Sequence, residues 1–310
     1  MSHRTLTEWL ETRANSTEYG YIVQQNGRIL SEHYGGGAGP DSRWDIGSIR
    51  KSFHSALVGQ LIESGHLSPD MPACEKWPRL VELSGREEDR AITLHHLLGA
   101  TSGWLAPESP GEKFRYNNAA FTAAERVTTA VLPSHDVPAE IKTRFAQPLG
   151  LRSFTAHHRD VDFDPERFGN PGPKMIVACN VRDLLCWGEL WRNGGSWQGQ
   201  QLIPENYAKR ATRLSNPHLP GAHYGYCWRL NAGRHVWPGA PDDTFGHSGN
   251  GFNLNGPEPV PGRAFLFICP GLNLVAAVCL DPCVGVATDY NQVPMPHTNA
   301  WIEQVLKTLG

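Results

Sequence analysis

A serine and a lysine stand three positions apart, at Ser48 and Lys51, where the first apolar helical pattern of the chain begins. Residues at this spacing lie on one face of a helix, about one turn apart. A serine hydroxyl is a poor nucleophile without a base beside it, and a lysine is such a base only when burial or nearby positive charge lowers its pKa. About one Ser-x-x-Lys is expected by chance in a chain of this length, so the pair alone favours a polar helix start.

A tyrosine and an asparagine follow in F-R-Y-N-N-A-A-F, which leads from a loop into a predicted helix. The phenol of Tyr116, if it lies close to a lysine ammonium, can carry protons to a leaving group, and the amide of Asn118 can hold a substrate. Taken alone, the segment favours a packed tyrosine and an asparagine that caps the next helix.

A third candidate segment, F-G-H-S-G-N-G-F at residues 245–252, lies in the strand-rich C-terminal part. Its small residues would let the backbone of a strand approach a ligand closely. His247 could donate a hydrogen bond at the rim of a cleft. The alternative is a glycine-rich turn between strands.

In this order, Ser-x-x-Lys, Tyr-x-Asn and His-Ser-Gly resemble the motifs of the serine β-lactamase-like superfamily. Its members include class C β-lactamases, D-alanyl-D-alanine peptidases, D-aminopeptidases and family VIII esterases. Four further segments carry the same resemblance: H-L-L-G-A-T-S-G, S-P-G-E-K-F-R-Y-N-N, V-R-D-L-L-C-W-G-E-L-W-R-N-G-G and Y-G-Y-C-W. The similarity runs from about Tyr19 to the C-terminus, and the ordered set is far more specific than any single motif.

The resemblance implies catalytic roles for three residues and a binding role for a fourth. Ser48 would form the acyl-enzyme, and Lys51 would take its proton. Tyr116 would relay a proton to the leaving group, and from water when the acyl-enzyme is hydrolysed. Asn118 would orient the substrate.

The strand motif is expected to complete the substrate site. His247 stands where many relatives have the lysine of Lys-Thr-Gly, and the backbone N–H groups of Ser48 and Asn250 would form the oxyanion hole. The remaining substrate-binding predictions are Ser248, Gly249 and Trp104.

Departures from the family pattern bear on the substrate. A histidine at position 247 removes a permanent cation. We therefore expect neutral esters to be preferred, and activity on anionic substrates to rise as the pH falls toward 6. Ala100 stands where relatives often have histidine, and only Trp104 to Ser109 separates T-S-G from P-G-E, which predicts an open cleft. Lys174 could bind a carboxylate, although a solvated loop lysine is the simpler interpretation.

Strand patterns lie at both ends of the chain, and helical patterns lie in the middle. The dipeptide Asn26-Gly27 is a strong signal for a hairpin turn. Helices are predicted for Ser48–Gly65, with an apolar stripe on one face, and for Ala119–Val131, Val137–Phe145, Val181–Arg192, Pro204–Arg213 and His297–Leu309. Strands are predicted for residues 224–230, 264–269 and 274–280.

The order of these elements predicts an α+β fold. An antiparallel sheet built from N- and C-terminal strands would be flanked by helices, with a mostly helical second lobe, as in β-lactamases and transpeptidases. We expect one catalytic domain over residues 1–310, made of a sheet lobe (1–65 plus 222–310) and a mainly helical lobe (66–221).

Composition restricts the partners. The net charge of −3 comes without any basic stripe, which argues against nucleic acid. The N-terminus has no apolar signal segment, and the longest apolar run, Leu272 to Leu280, is too short to span a bilayer. Seven scattered cysteines without Cys-x-x-Cys indicate free thiols in a reducing compartment. We therefore expect a cytoplasmic protein that does not bind membranes.

Metal chemistry has weak support. The histidine pairs 95–96 and 157–158 are adjacent in sequence, so the members of a pair cannot share one helix face. His-Glu-x-x-His is absent. We expect no metal and no cofactor.

The resulting interpretation is a serine hydrolase acting on small esters. Hydrolysis of amides, β-lactams or D-amino-acid peptides, or acyl transfer, is the alternative. A more remote alternative is a penicillin-recognising sensor or scaffold without turnover. A nucleophile elbow centred on Ser248 is rejected, because Asn250 replaces the last glycine of Gly-x-Ser-x-Gly and no helical pattern follows.

Overall fold

The computed structural model describes residues 4–14, 17–160, 171–280 and 296–309. Its strands are β1 (Tyr19–Gln25), β2 (Arg28–Gly35), β3 (Trp44–Asp45), β4 (Thr155–Arg159), β5 (Lys174–Cys179), β6 (Ser196–Trp197), β7 (Gln200–Gln201), β8 (Arg229–Leu230), β9 (Phe245–Asn253), β10 (Val260–Cys269) and β11 (Leu274–Leu280). Its α-helices are α1 (Arg4–Ala14), α2 (Arg50–Glu63), α3 (Arg79–Ser84), α4 (Leu94–Leu98), α5 (Asn118–Val131), α6 (Val137–Ile141), α7 (Gln147–Leu149), α8 (Val181–Arg192), α9 (Glu205–Ala211) and α10 (Pro296–Lys307).

The two ends of the chain meet in one antiparallel sheet. Within the described residues the strand order is β2-β1-β11-β10-β9-β3-β5-β4, and β8 also pairs with β9. The hairpin between β1 and β2 turns at Asn26 and Gly27, which both have positive φ (50° and 74°), as the two central residues of a type I′ turn require. The predicted α+β fold, with N- and C-terminal strands in one sheet, is confirmed.

The sheet also takes strands from the middle of the chain. Strands β4 and β5 belong to the segment expected to form the helical lobe, yet they pair with each other, and β5 pairs with β3. Because β3 immediately precedes the turn that carries Ser48, this pairing fixes the backbone just before the candidate nucleophile.

Helix α2 is buried on almost all sides. Every residue from Arg50 to Gly59 is buried, because α2 packs against α5, α6, α9 and β5. The predicted apolar stripe is buried, and so are the polar residues on the other faces of this helix. The terminal helices α1 and α10 instead cover the other face of the sheet, where Leu6, Trp301 and Phe267 belong to one apolar cluster.

The predicted strand at residues 224–230 is a tight turn over most of its length. Tyr224 bridges to Arg229, the N–H of Gly225 donates to the carbonyl of Trp228, and Cys227 has a φ of 63°. A chain that reverses within six residues cannot run along a sheet, so only β8 continues onto β9. None of the described helices is long and apolar enough to cross a membrane.

Candidate active site

Ser48 lies in a short 3-10 turn, Gly47–Ile49, which joins β3 to α2. Ser48 does not cap the helix, since its own backbone is already helical and neither this turn nor α2 has a side-chain cap. The hydroxyl is therefore not used for capping. The side chain is 8% exposed, which leaves a small opening toward a substrate.

The amine of Lys51 is the centre of the polar network. It lies 2.8 Å from Ser48 Oγ, 2.7 Å from the Tyr116 hydroxyl and 2.9 Å from Asn118 Oδ1. The structure thus brings together the residues of the first two sequence motifs around one nitrogen atom.

The neighbour of Asn118 performs the capping that the sequence left open. Asn117 Oδ1 accepts the N–H of Ala119 (2.9 Å), and Asn117 Nδ2 donates to the carbonyl of Trp104 (2.8 Å). Asn118 is instead the first residue of α5. The simpler interpretation, in which Asn118 caps the helix, is therefore wrong, and its amide is free to meet Lys51.

Burial makes the charged form of Lys51 costly. The residue is 1% exposed, and burial, followed by the positive charges of Arg50 and Lys174, holds the pKa of its amine well below the usual value. Lowering the pKa of a lysine increases the fraction of neutral amine, which is the form that a general base needs.

The backbone of β9 passes against the backbone around Ser48. A Cβ atom on Gly249 would lie 1.8 Å from the carbonyl oxygen of Ile46 and 2.8 Å from the nitrogen of Ser48. On the facing segment, a Cβ on Gly47 would lie 2.6 Å from the nitrogen of Asn250. The absence of side chains on these two glycines brings the predicted oxyanion-hole segments together.

His247 lies beside the network, but its ring is already engaged. It is 2% exposed, its Nδ1 lies 2.6 Å from the carbonyl oxygen of Ser248, and its Nε2 lies 3.1 Å from the hydroxyl of Tyr224. Since a carbonyl only accepts, Nδ1 carries the hydrogen and donates it, and Nε2 accepts from the tyrosine.

The charge state of His247 also differs from expectation. Burial, together with the charges of Lys51 and Arg229, holds the pKa of the imidazole well below its usual value of 6.5. The lowered pKa disfavours the protonation of His247 that was expected as the pH falls toward 6. A direct contact with substrate would require one of its two hydrogen bonds to break.

Two predicted substrate-binding side chains point elsewhere. Trp104 is 0% exposed, and its indole N–H donates to the carbonyl of Leu80 at 2.9 Å, so a substrate cannot reach its ring. Ser248 alternates with His247 along β9 and pairs in register with Phe265. Both line a cavity of about 10 Å³ that Trp301 of α10 and His247 also line.

No group of three or more histidine, cysteine, aspartate or glutamate side chains arranged to hold a metal occurs in the described part of the chain. The cysteines of that part, six in number, are all free. Cys283 lies outside the described residues.

Comparison with known proteins identifies the family. The model of the Beta-lactamase family matches residues 16–280. The chain belongs to the Beta-lactamase family. This confirms the resemblance predicted from the three ordered motifs, and the chain has the β-lactamase fold.

One curated relative is a named hydrolase. The 6-aminohexanoate-dimer hydrolase of Paenarthrobacter ureafaciens is 35% identical over 220 residues, which are 61% of this chain and 55% of that enzyme. The chain therefore spans only about half the length of this curated relative.

Two solved structures share the fold of the present chain at low sequence identity. A class C β-lactamase from Rhodobacter sphaeroides has a TM-score of 0.67 at 16% identity and covers 99% of this chain and 98% of its own. A D-stereospecific amidohydrolase from Streptomyces sp. has a TM-score of 0.67 at 17% identity, covering 91% of this chain and 94% of its own.

Proposed function

We propose that the chain is a serine hydrolase that forms an acyl-enzyme on Ser48, with Lys51 as the base. The observation that carries this proposal is the set of contacts around Lys51 Nζ. A neutral amine has two N–H donors and one lone pair. The N–H groups suit the oxygens of Tyr116 and Asn118 (2.7 and 2.9 Å), which leaves the lone pair for the Ser48 hydroxyl at 2.8 Å.

Acylation follows from this arrangement. Ser48 Oγ attacks the substrate carbonyl carbon as its proton moves to Lys51. The N–H groups of Ser48 and Asn250 bind the oxyanion that develops. When the tetrahedral intermediate collapses, the proton on Lys51 passes through the Tyr116 hydroxyl to the leaving group.

Deacylation uses the same groups in reverse. A water molecule attacks the acyl-enzyme and gives one proton to the Tyr116 hydroxyl, which passes its own proton to the amine of Lys51. The Ser48 oxygen then leaves and recovers a proton from Lys51. A sensor or scaffold would stop at the acyl-enzyme, so single-turnover kinetics separate that alternative from a hydrolase.

Small neutral esters are the proposed substrates. The support is the neutral imidazole of His247, which offers no charge to an anionic group. Amide hydrolysis is the second candidate, and the 35% identity to a 6-aminohexanoate-dimer hydrolase favours it, because an amino-acid dimer is joined by an amide bond. β-Lactam hydrolysis and acyl transfer use the same acyl-enzyme. We also propose a cytoplasmic location, which the free thiols of the described cysteines support.

Covalent labelling tests the nucleophile. A fluorophosphonate should add once to the wild-type protein, at Ser48, and intact-protein mass spectrometry detects the adduct. Ser248→Ala is the matched control, because that serine faces the opposite side of β9, and it should label like the wild type. An adduct that persists in Ser48→Ala would remove Ser48 from the mechanism.

Steady-state kinetics on the wild-type protein, with Ser48→Ala as the inactive control, separates the substrate classes. A panel of nitrophenyl esters, D-amino-acid anilides and nitrocefin gives kcat/KM for an ester, an amide and a β-lactam. We expect the esters to be fastest. An anilide that exceeds the esters would assign the chain to amide hydrolysis instead.

A further inference from the structure

A second buried cation stands next to the candidate base. Arg50 precedes Lys51 in the chain and is 0% exposed. Its guanidinium lies 3.9 Å from Glu125 Oε1, and both side chains are buried. The guanidinium makes no hydrogen bond within the described residues. Among the residues that the structure describes, its charge is therefore balanced by one carboxylate at the edge of ion-pair distance.

The geometry relates this ion pair to Lys51 through one helix. Lys51 reaches Asn118 and Arg50 reaches Glu125, and these two partners are seven residues apart on α5. Seven residues are about two turns, so the partners share a face about 10 Å apart. The N–H of Met175 in β5 donates to Glu125 Oε2 at 3.2 Å, which holds the carboxylate in place.

Elementary electrostatics gives the sign of the coupling. Taking the spacing of their partners on α5, about 10 Å, as the separation of the two charges, the guanidinium is close enough to lower the pKa of Lys51 in surroundings with an effective dielectric constant of about 20. In agreement, Arg50 is the leading charge that lowers the pKa of Lys51, after burial itself, while Glu125 acts in the opposite direction.

Other groups also face the Lys51 amine. Lys174 on β5 lowers the pKa of Lys51, and Cys227 raises it. Lys174 has a lowered pKa of about 8, and burial keeps Cys227 protonated, with a raised pKa of about 12. Burial, followed by the charges of Lys51 and Arg229, lowers the pKa of His247 on β9 and so favours its neutral form.

We propose that the buried Arg50–Glu125 pair controls whether Lys51 is neutral, with the guanidinium favouring the free amine that accepts the Ser48 proton. This inference rests on the proposed function. Arg50 is a positioning residue in this scheme, since it acts through Lys51 and does not touch the reacting atoms.

The pH dependence of fluorophosphonate labelling at Ser48 tests the proposal, because its rate requires the neutral base but no deacylation. Removing the cation in Arg50→Met should raise the pKa of Lys51. The acid limb of the pH–rate profile, where labelling slows as Lys51 becomes protonated, should then move to higher pH by about one unit. Removing the anion in Glu125→Gln should lower the pKa of Lys51 and move the acid limb to lower pH. Opposite shifts are the signature that a merely structural role would not produce.

Control variants keep the test decisive. Arg28→Met removes the same charge from an exposed position on the β1–β2 hairpin and should leave the limb in place. If a single variant does not fold, the double variant Arg50→Met/Glu125→Leu replaces it, because it leaves no unpaired buried charge. The acid limb of the double variant should move to higher pH by less than the limb of Arg50→Met.

Two results would overturn the inference. One is a limb that stays at the wild-type pH in every folded variant of the pair. The other is a shift of both single variants in the same direction. In either case labelling would remain on Ser48, whereas failure of the proposed function would appear as labelling that does not depend on Ser48.

Discussion

The helical wall of the site (Ser48, Lys51, Tyr116 and Asn118) and its strand wall (residues 247–250) use their polar groups differently. On the helical wall, one amine gathers three side-chain oxygens within 2.7–2.9 Å. On the strand wall, His247 bonds its own neighbour and Tyr224. The comparison indicates that the helical wall acts through side chains, whereas the strand wall acts mainly through its backbone.

The largest expected effect comes from the helical wall. Lys51→Ala should lower kcat for an ester by at least about 100-fold, because proton-transfer groups usually contribute that much or more. The loss should be non-additive with Ser48→Ala, since the two residues act as a unit.

Steady-state kinetics on wild type, Lys51→Ala and Lys209→Ala check this prediction. Lys209 is an exposed lysine that pairs with Glu205 at 2.6 Å, so its removal should leave kcat unchanged. A Lys51→Ala enzyme that acylates at a near-normal rate would show that another group takes the serine proton.

The strand wall should be sensitive to a single methyl group. In Gly249→Ala the new Cβ would fall 1.8 Å from the carbonyl oxygen of Ile46, so β9 must move away from Ser48. The two N–H groups proposed for the oxyanion hole would then separate, and kcat should fall by about 100-fold.

Gly256→Ala is the matched control, since a Cβ there would meet only Glu258 O at 3.8 Å. It should retain the wild-type kcat and thermal stability. If Gly249→Ala keeps normal activity while folded, the backbone of β9 does not serve the reaction in the way proposed.

The sequence predicted the helical wall better than the strand wall for a physical reason. The spacing of Ser48 and Lys51 is local, so a single helical turn brings them together. The hydrogen-bond partner of His247 is not local, because Tyr224 reaches it through the tight turn at residues 224–229. The β-rich composition of that turn favoured a strand, and the positive φ of Cys227 has no sequence signal of the kind that glycine gives.

Burial was the other property that the sequence could not give. The apolar stripe of α2 was a sound indication of a helix, yet Arg50 and Lys51 are as buried as its apolar residues. Charged residues are normally exposed unless paired, so a charged pair at a helix start does not suggest burial. The signal for Glu125 was equally weak, since one glutamate on an amphipathic helix is ordinarily solvated.

The smallest expected effect concerns the preference between neutral and anionic substrates. Burial, followed by the charges of Lys51 and Arg229, lowers the pKa of His247, which disfavours its protonated form from pH 8 to pH 6. Protonation of Lys51 slows both substrates equally and cancels in the ratio of their kcat/KM values. Lys174, with a pKa of about 8, is half charged at pH 8 and nearly fully charged at pH 6.

The ratio of anionic to neutral kcat/KM should therefore rise by no more than about twofold over this range, which is the increase in the charged fraction of Lys174. Measurements at pH 6, 7 and 8 on wild type and Lys174→Met check this, and the variant should show a constant ratio. A severalfold rise that survives in Lys174→Met and disappears in His247→Asn would mean that the imidazole does meet the substrate as a cation. The strand wall would then act through a side chain, as the helical wall does.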